Sequence, residues 1–303
     1  MREYFVWLAK LVTLVLVVGL GFLTLVGTVA AVGAASNVSK NKDNKVAVVE
    51  LKGVIMDSRE VVEELHKQAA DNSVKGIVLR VDSPGGAVGP SQEVYYAVKA
   101  LKGKKPIVVS MGSLAASGGL YASLGASKIF ALPGTITGSI GVIMQIPNLT
   151  DIADKVGFQM ITIKSGKLKD VGNTFRKMAP EEQAYLEDSV RLSHEDFIAA
   201  VAEGRKLDRE KVVKFADGRI LLGTQAKDLG LVDAFGDTYD AARSIFEILG
   251  EPLPATSEPY LVYPNDKYQE FKKFLESVIS VPAILSPNSF PGVLKSVVEV
   301  SGG

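Results

Sequence analysis

Two glycine-bearing turns carry the residues best suited to acyl-transfer chemistry. Ser117 lies in residues 112–119, GSLAASGG, and a second run, DSPGG, occupies residues 82–86. Glycine tolerates strained dihedral angles, so such turns can expose a hydroxyl and admit a substrate backbone. The N–H of Gly118 and one from the 84–86 turn could then stabilise an oxyanion. Either motif alone could instead be a turn that packs a strand against a helix, but together they indicate a serine nucleophile.

Few side chains of this chain are suited to accept the proton of this serine. The chain has two histidines, His66 in a charged helical segment and His194 near the apolar face of a long helix. Both are interpreted as ordinary surface or packing residues. Lysine is the remaining candidate, and it acts as a base only where burial lowers its pKa toward neutrality. Three lysines follow a predicted strand in residues 158–170, FQMITIKSGKLKD, and these are Lys164, Lys167 and Lys169.

Composition excludes several other classes of function. Lys+Arg and Asp+Glu are both 34, so no basic field points to a nucleic acid partner. The absence of cysteine excludes disulfides, thiolate catalysis and cysteine-ligated zinc. The two histidines are far apart and lack a HExxH pairing, which argues against a metal site. No glycine-rich nucleotide motif is present, so we expect neither metal nor organic cofactor.

The N-terminus predicts a membrane anchor over residues 1–36. No residue from 11 to 36 is charged, and residues 11–30 alone reach the length of about 20 that a spanning helix needs. A cleavable signal peptide is the alternative, since residues 31–35, AVGAA, are small, but its apolar core would exceed the usual 7 to about 15 residues. Lysine and arginine flank both ends, so charge does not determine orientation. Residues 37–45 are polar and predict a tether.

The elements that must position these residues alternate between strand and helix. Buried strands are predicted at residues 46–51, 76–81, 106–110 and 128–132, with helices at 60–71 and 90–102. A long helix begins at Pro180 and ends near Gly204, with an apolar stripe of Leu186, Val190, Phe197 and Val201. This alternation predicts an α/β domain with parallel pairing over residues 46–267. Residues 268–303 are predicted to be an apolar tail that packs on a neighbouring subunit, touches the membrane or enters a groove as a substrate-like strand, and we favour the subunit contact.

As a set, the motifs resemble the signal peptide peptidase A family, membrane-anchored Ser-Lys proteases of the crotonase- and Clp-like fold. The resemblance covers roughly residues 46–240. Its motifs are residues 82–86 DSPGG, 111–119 MGSLAASGG, 137–144 TGSIGVIM, 163–170 IKSGKLKD and 216–219 ADGR. It implies a ββα superhelix of the Clp type with an N-terminal transmembrane helix.

The resemblance also implies a role for each site residue. Ser117 would be the nucleophile, Lys169 the general base, and Gly86 and Gly118 the oxyanion donors. Ser139 would orient the lysine, although it could be a turn serine with a local role only. Lys164 is the alternative base, because it precedes the Ser-Gly turn where the doubled members of the family carry their lysine.

Location, assembly and substrate follow from the same resemblance. It implies a single-pass protein of the cell membrane whose catalytic domain lies outside the cytoplasm. The expected assembly is a homo-oligomer, an octameric ring, and the expected substrates are hydrophobic peptides, including cleaved signal peptides. Two alternatives remain: a catalytically silent membrane scaffold of the same fold, and a crotonase relative that processes acyl-CoA.

Overall fold

The computed structural model of the chain describes residues 2, 4, 6–7, 10–13, 17–21, 24 and 44–264. The chain divides into two compact units, Met1–Asp43 and Asn44–Gly303. In the first unit, every residue described is helical. Across the described residues, no helix combines the length and the apolar character that crossing a bilayer requires. Most of the predicted anchor and tether, and all of the predicted tail at 268–303, lie outside the described residues.

The second unit is built on an eight-stranded mixed sheet. Its strands are β1 Lys45–Lys52, β2 Gly76–Ser83, β3 Ile107–Ala115, β4 Lys128–Ala131, β5 Ile136–Gly138, β6 Ile220–Leu222, β7 Ala234–Phe235 and β8 Tyr260–Val262. The order is β6-β5-β3-β2-β1-β8, with β4 pairing β3 and β7. All pairs are parallel except β5 with β6. The four predicted strands are therefore confirmed, and β1 begins at Lys45, the last residue of the predicted tether.

Eight helices within residues 44–264 connect and cover the strands. They are α1 Arg59–Ala70, α2 Val88–Leu101, α3 Gly118–Ser123, α4 Thr150–Lys155, α5 Pro180–Arg205, α6 Arg209–Val213, α7 Gly223–Leu229 and α8 Thr238–Ile248. Of these, α1, α2 and α5 confirm the helices that apolar spacing predicts.

The core lies on both faces of the central strands, as a parallel sheet requires. Along β1, Ala47 and Val49 belong to the larger cluster, which includes residues of α1, α2, α3 and α5. Val46 and Val48 point to the opposite face, where Phe246 of α8 is buried. Successive side chains of a strand alternate between faces, so a strand covered on both sides reads as an unbroken apolar run. The prediction of an α/β domain is confirmed.

One predicted strand is wrong. Residues 158–164 form no strand, and their side chains are exposed, with Ile161 86% and Ile163 96% accessible. The sequence has the β-branched residues of a strand, but a strand also needs a neighbouring edge to pair with, and none of the described strands pairs with this segment. An apolar extended segment thus lies open to solvent just before the candidate lysines.

Candidate active site

Ser117 lies where β3 gives way to α3, as the sequence predicts. It is the N-cap residue of α3, with φ 50° and ψ −120°, a conformation that side-chain-bearing residues rarely adopt. Its N–H donates to the carbonyl of Gly138 at 2.9 Å, and its carbonyl accepts from the N–H of Tyr121 at 2.9 Å. Both backbone groups are therefore held, and the strained turn presents the half-buried hydroxyl to an adjoining cavity.

The second glycine motif meets the first at this point. Gly85 has φ 98°, and a Cβ atom there would lie 2.9 Å from the Cβ of Ser117. A Cβ atom at Gly86 would overlap the backbone of Ile55, which pairs with Gly86 in a parallel bridge. Glycine is required at both positions because backbone of other segments occupies the space of a side chain. The structure thus brings Gly86 and Gly118 together beside Ser117.

A cavity of about 110 Å³ joins the serine to both predicted oxyanion donors. Its lining includes Ser117, Gly86 and Gly118. Within the described part of the chain, neither the N–H of Gly86 nor that of Gly118 donates to another group. Two unpaired backbone donors beside a nucleophile are what an oxyanion hole needs.

Ser139 lies next to this site because it directly follows β5, and the last residue of β5 contacts Ser117. It follows β5, has φ 52°, and donates its N–H to the carbonyl of Arg219 at 2.8 Å. Its neighbour Gly138 accepts the hydrogen bond from Ser117. The hydroxyl of Ser139 forms no hydrogen bond with any residue that the structure describes. Its role in orienting a lysine stays a prediction.

The candidate lysines lie on an exposed loop, and none of them lines the cavity at Ser117. The Nζ of Lys169 forms no hydrogen bond or ion pair with residues 44–264. Lys164 pairs with Asp170 and donates to the carbonyl of Lys167 at 2.9 Å. Lys167 pairs with Glu181 at 2.6 Å. Among residues 44–264 no lysine or histidine lines the cavity at Ser117, so the assignment of Lys169 stays a prediction.

A charge cluster ties this lysine loop to the start of α5. The guanidinium of Arg176 donates to Asp170 at 3.0 Å and to both oxygens of Glu182 at 2.6 and 2.7 Å. Arg176, followed by Lys164, holds the pKa of the Asp170 carboxyl well below its usual range. Arg176, with the N–H of Ala179, lowers the pKa of Glu182 to about 2. Both carboxylates are therefore charged at neutral pH, and the loop is anchored by ion pairs.

The histidines take no part in the cavity. His66 is exposed on α1. His194 lies on α5 in a groove of about 860 Å³ between residues 141–146 and that helix. Its Nε2 is buried and has no hydrogen-bond partner among the described residues. Neither histidine lines the cavity at Ser117, and the described residues contain no cluster of three or more acidic, histidine or cysteine side chains that could hold a metal.

Several residues of the site escaped the sequence analysis. The cavity is also lined by Ser91 of α2, Tyr121 of α3 and Phe197 of α5. Burial raises the pKa of the Tyr121 phenol, so it remains protonated. Phe197 was predicted only as part of an apolar stripe, and nothing local to the other two marks them. Ser91 and Phe197 reach the site through tertiary contacts between elements distant in sequence, whereas Tyr121 lies on the helix that Ser117 caps.

A strained serine beside two unpaired backbone donors, at the end of a parallel strand, defines a serine hydrolase site on a Clp protease-like α/β fold. The Clp protease family model matches residues 35–145, and the model of peptidase family S49 matches residues 99–249. The chain belongs to peptidase family S49 and is a serine peptidase.

Curated relatives agree with this assignment. A candidate protease of Synechocystis sp., slr0021, is 44% identical over 200 residues, covering 66% of this chain and 72% of that protein. A candidate signal peptide peptidase SppA of Enterococcus faecium is 37% identical, over 74% of this chain and 68% of the relative. The chloroplastic serine protease SPPA of Arabidopsis thaliana is 33% identical, over 61% of this chain and 27% of its own length. The prediction of the signal peptide peptidase A family is confirmed.

Proposed function

We propose that this chain is a membrane-anchored endopeptidase that uses Ser117 and Lys169 to hydrolyse hydrophobic peptides, including cleaved signal peptides, outside the cytoplasm. The observation that carries the proposal is the strained Ser117, which shares one cavity with the unpaired N–H groups of Gly86 and Gly118. The name of the Enterococcus relative supports the substrate class. Residues 1–36 would provide the anchor.

Each group has a defined part in the reaction. The Oγ of Ser117 attacks the scissile carbonyl carbon while its proton passes to the neutral amine of Lys169. The N–H groups of Gly86 and Gly118 donate to the oxyanion that forms. The protonated lysine then gives its proton to the leaving amine, which leaves an acyl ester on Ser117. Water, deprotonated by the same lysine, hydrolyses that ester and restores the serine.

The lysine has to be brought to the serine and removed from water. In one chain Lys169 is exposed, whereas a general base needs a neutral amine within reach of the serine hydroxyl. The apolar segment at 158–163 precedes it and leaves Ile161 and Ile163 in solvent. Exposed apolar segments of this kind mark surfaces that a partner covers. We propose that a second copy covers this segment, in a homo-oligomeric ring, and that this association buries the amine of Lys169 beside a serine.

The lining of the site favours apolar substrates. The cavity at Ser117 and the groove along α5 share residues 141–143. Further along, Met144, Ile146 and Leu186 line the groove. When an extended peptide binds in such a groove, its apolar side chains are removed from water, and this burial favours binding.

Peptide cleavage by the full-length protein in detergent tests this proposal. A hydrophobic signal-like peptide would be incubated with wild type and with Ser117→Ala, Lys169→Ala and Lys164→Ala. We expect no cleavage with Ser117→Ala or Lys169→Ala and substantial cleavage with Lys164→Ala. Cleavage by Ser117→Ala at the wild-type rate would exclude the mechanism. Loss with Lys164→Ala but not with Lys169→Ala would move the base to Lys164.

A second experiment tests the anchor. Membranes from cells that express the full chain would be washed with salt and with carbonate, beside cells that express a chain lacking residues 1–36. We expect the full chain to stay with the membrane and the shortened chain to be released. Equal release of both would remove the anchor from the proposal.

A further inference from the structure

Ser83, the last residue of β2, connects three segments of the active site. Its side chain is completely buried. The Oγ donates to the carbonyl of Gly53 at 2.6 Å and accepts from the N–H of Gly85 at 3.1 Å. Its own carbonyl accepts from the N–H of Ala116, next to Ser117, at 3.0 Å. One residue thus contacts three segments: the turn at residues 84–86, here called the glycine turn, the turn at residues 116–118, here called the nucleophile turn, and the segment at residues 53–55.

The segment at residues 53–55, here called the strap, holds the glycine turn from outside. The N–H of Gly53 donates to the carbonyl of Asp82 at 3.0 Å. The N–H of Ile55 donates to the carbonyl of Gly85 at 2.9 Å, and its carbonyl accepts from the N–H of Ala87 at 2.8 Å. The residues on either side of Gly86 are therefore fixed to Ile55. The N–H of Gly86 itself remains unpaired within the described residues and is available to a substrate.

Asp82 also bonds here through its side chain, accepting from the N–H of Leu114 at 3.1 Å, but the hydroxyl of Ser83 is the group that contacts both the strap and the glycine turn. It bridges the strap and the glycine turn by pairing the carbonyl of Gly53 with the N–H of Gly85. If it were removed, the N–H of the buried Gly85 would be left without a partner, which is unfavourable enough to make the turn shift. The carbonyl of Gly53, an exposed residue, would lose its link to the turn. Gly85 has φ 98° and permits such a shift easily, since glycine has few steric limits.

We propose that Ser83 is a positioning residue that sets the place of the Gly86 N–H relative to Ser117. This inference rests on the proposed role of Gly86 and Gly118 as oxyanion donors. An oxyanion hole stabilises the transition state only while its donors are held in place before the reaction. Ser83 bonds to the glycine turn through its Oγ and to the nucleophile turn through its carbonyl. It therefore fixes the position of the Gly86 N–H relative to Ser117. It touches neither the substrate nor the reacting atoms.

The test measures transition-state binding apart from ground-state binding. Full-length Ser83→Ala would be assayed for kcat and KM with the signal-like peptide, and for affinity toward a peptidyl boronic acid. With that inhibitor the serine oxygen adds to boron and loses its proton to the base. A hydroxyl on the resulting tetrahedral anion then occupies the oxyanion position. We expect kcat and boronate affinity to fall together by about 10-fold, a fraction of the loss seen when an oxyanion donor is deleted. KM and affinity for a product-like peptide should stay within about twofold.

Ser244→Ala is the matched control. Ser244 is also buried, and its hydroxyl donates to the carbonyl of Ala241 at 2.7 Å within α8, outside the cavity at Ser117. We expect a comparable fall in melting temperature but unchanged kcat and boronate affinity. If Ser83→Ala does not fold, Ser83→Cys carries the test, because its thiol is close in size but bonds weakly and should give an intermediate loss.

Different results would exclude the positioning role of Ser83 and the proposed peptidase mechanism. If wild type cleaves, Ser117→Ala does not, and Ser83→Ala matches wild type in kcat and boronate affinity, the positioning role is excluded while the peptidase mechanism stands. A rise in KM alone would also exclude it. If Ser117→Ala cleaves at the wild-type rate, the proposed peptidase mechanism is excluded, and the positioning role of Ser83 is excluded with it.

Discussion

A Cβ atom at Gly85 would lie 2.6 Å from the backbone nitrogen of Gly118. The glycine turn after β2 and the nucleophile turn after β3 therefore contact each other directly. Two predicted oxyanion donors, one from each turn, lie at this contact. Their separation is determined by packing, since no side chain fits between the two backbones.

Gly85→Ala should separate the two turns. The new methyl group collides with Gly118, and φ 98° is strained for alanine, so the oxyanion donors move apart. We expect kcat to fall by at least about 100-fold, as when a donor is deleted. Steady-state kinetics with the signal-like peptide measure this. Gly250→Ala is the control, with φ 74° and nothing within 4 Å of its Cβ, and it should lower the melting temperature only. Wild-type kcat in Gly85→Ala would contradict the placement of the donors.

The rate of cleavage should rise with pH if a lysine is the base. Only the neutral amine accepts the serine proton, and its fraction increases as pH rises. Lys169→Ala should abolish the activity at every pH. Lys167→Ala removes an exposed lysine of the same loop, paired with Glu181, and should keep the wild-type pH profile. Profiles of kcat/KM against pH for the three proteins check this. A flat profile for wild type would argue against a lysine base.

Ile163→Asp should block assembly and leave the single chain folded. The side chain is 96% exposed, so a charge there costs the isolated fold little, but it would be buried unpaired in a subunit contact. We expect a smaller particle by analytical ultracentrifugation and lost cleavage, because the lysine would no longer be covered. Val213→Asp, at a position 46% exposed on α6, should change neither. An unchanged particle in Ile163→Asp would place the subunit contact elsewhere.

The ion pairs of the lysine loop should weaken in acid. The pKa of Glu182 is lowered to about 2 by Arg176 and the N–H of Ala179. A carboxylate with a lowered pKa stabilises the fold above its unfolded pKa, and this contribution is lost as pH falls toward the folded value. The melting temperature of wild type should therefore fall between pH about 5 and about 2 more steeply than that of Glu182→Gln. Glu210→Gln, at an exposed position on α6, should follow wild type. Parallel curves for Glu182→Gln and wild type would contradict this.

Local patterns in the sequence predicted the elements that depend on local rules. The four strands and three helices were found because apolar spacing of period two or 3.6 reflects the faces that a sheet or helix buries. The prediction of a strand at 158–164 was wrong because a strand does not depend on local sequence alone. Ile161 and Ile163 have strand propensity, but strand formation depends on a partner edge, which no local pattern reports.

The sequence by itself determined the class of chemistry: a serine in a glycine turn and the absence of cysteine predict a serine peptidase, whereas the choice of a lysine as its base stays a prediction. Only the tertiary structure decided that Gly85 touches Gly118, that Ile55 holds Gly86, and that Ser83 connects both turns to the strap. It also showed that Lys169 lies in solvent within one chain. The physical reason is that residue type determines reactivity, whereas contacts between distant segments arise from the packing of whole elements, which spacing along the chain does not encode.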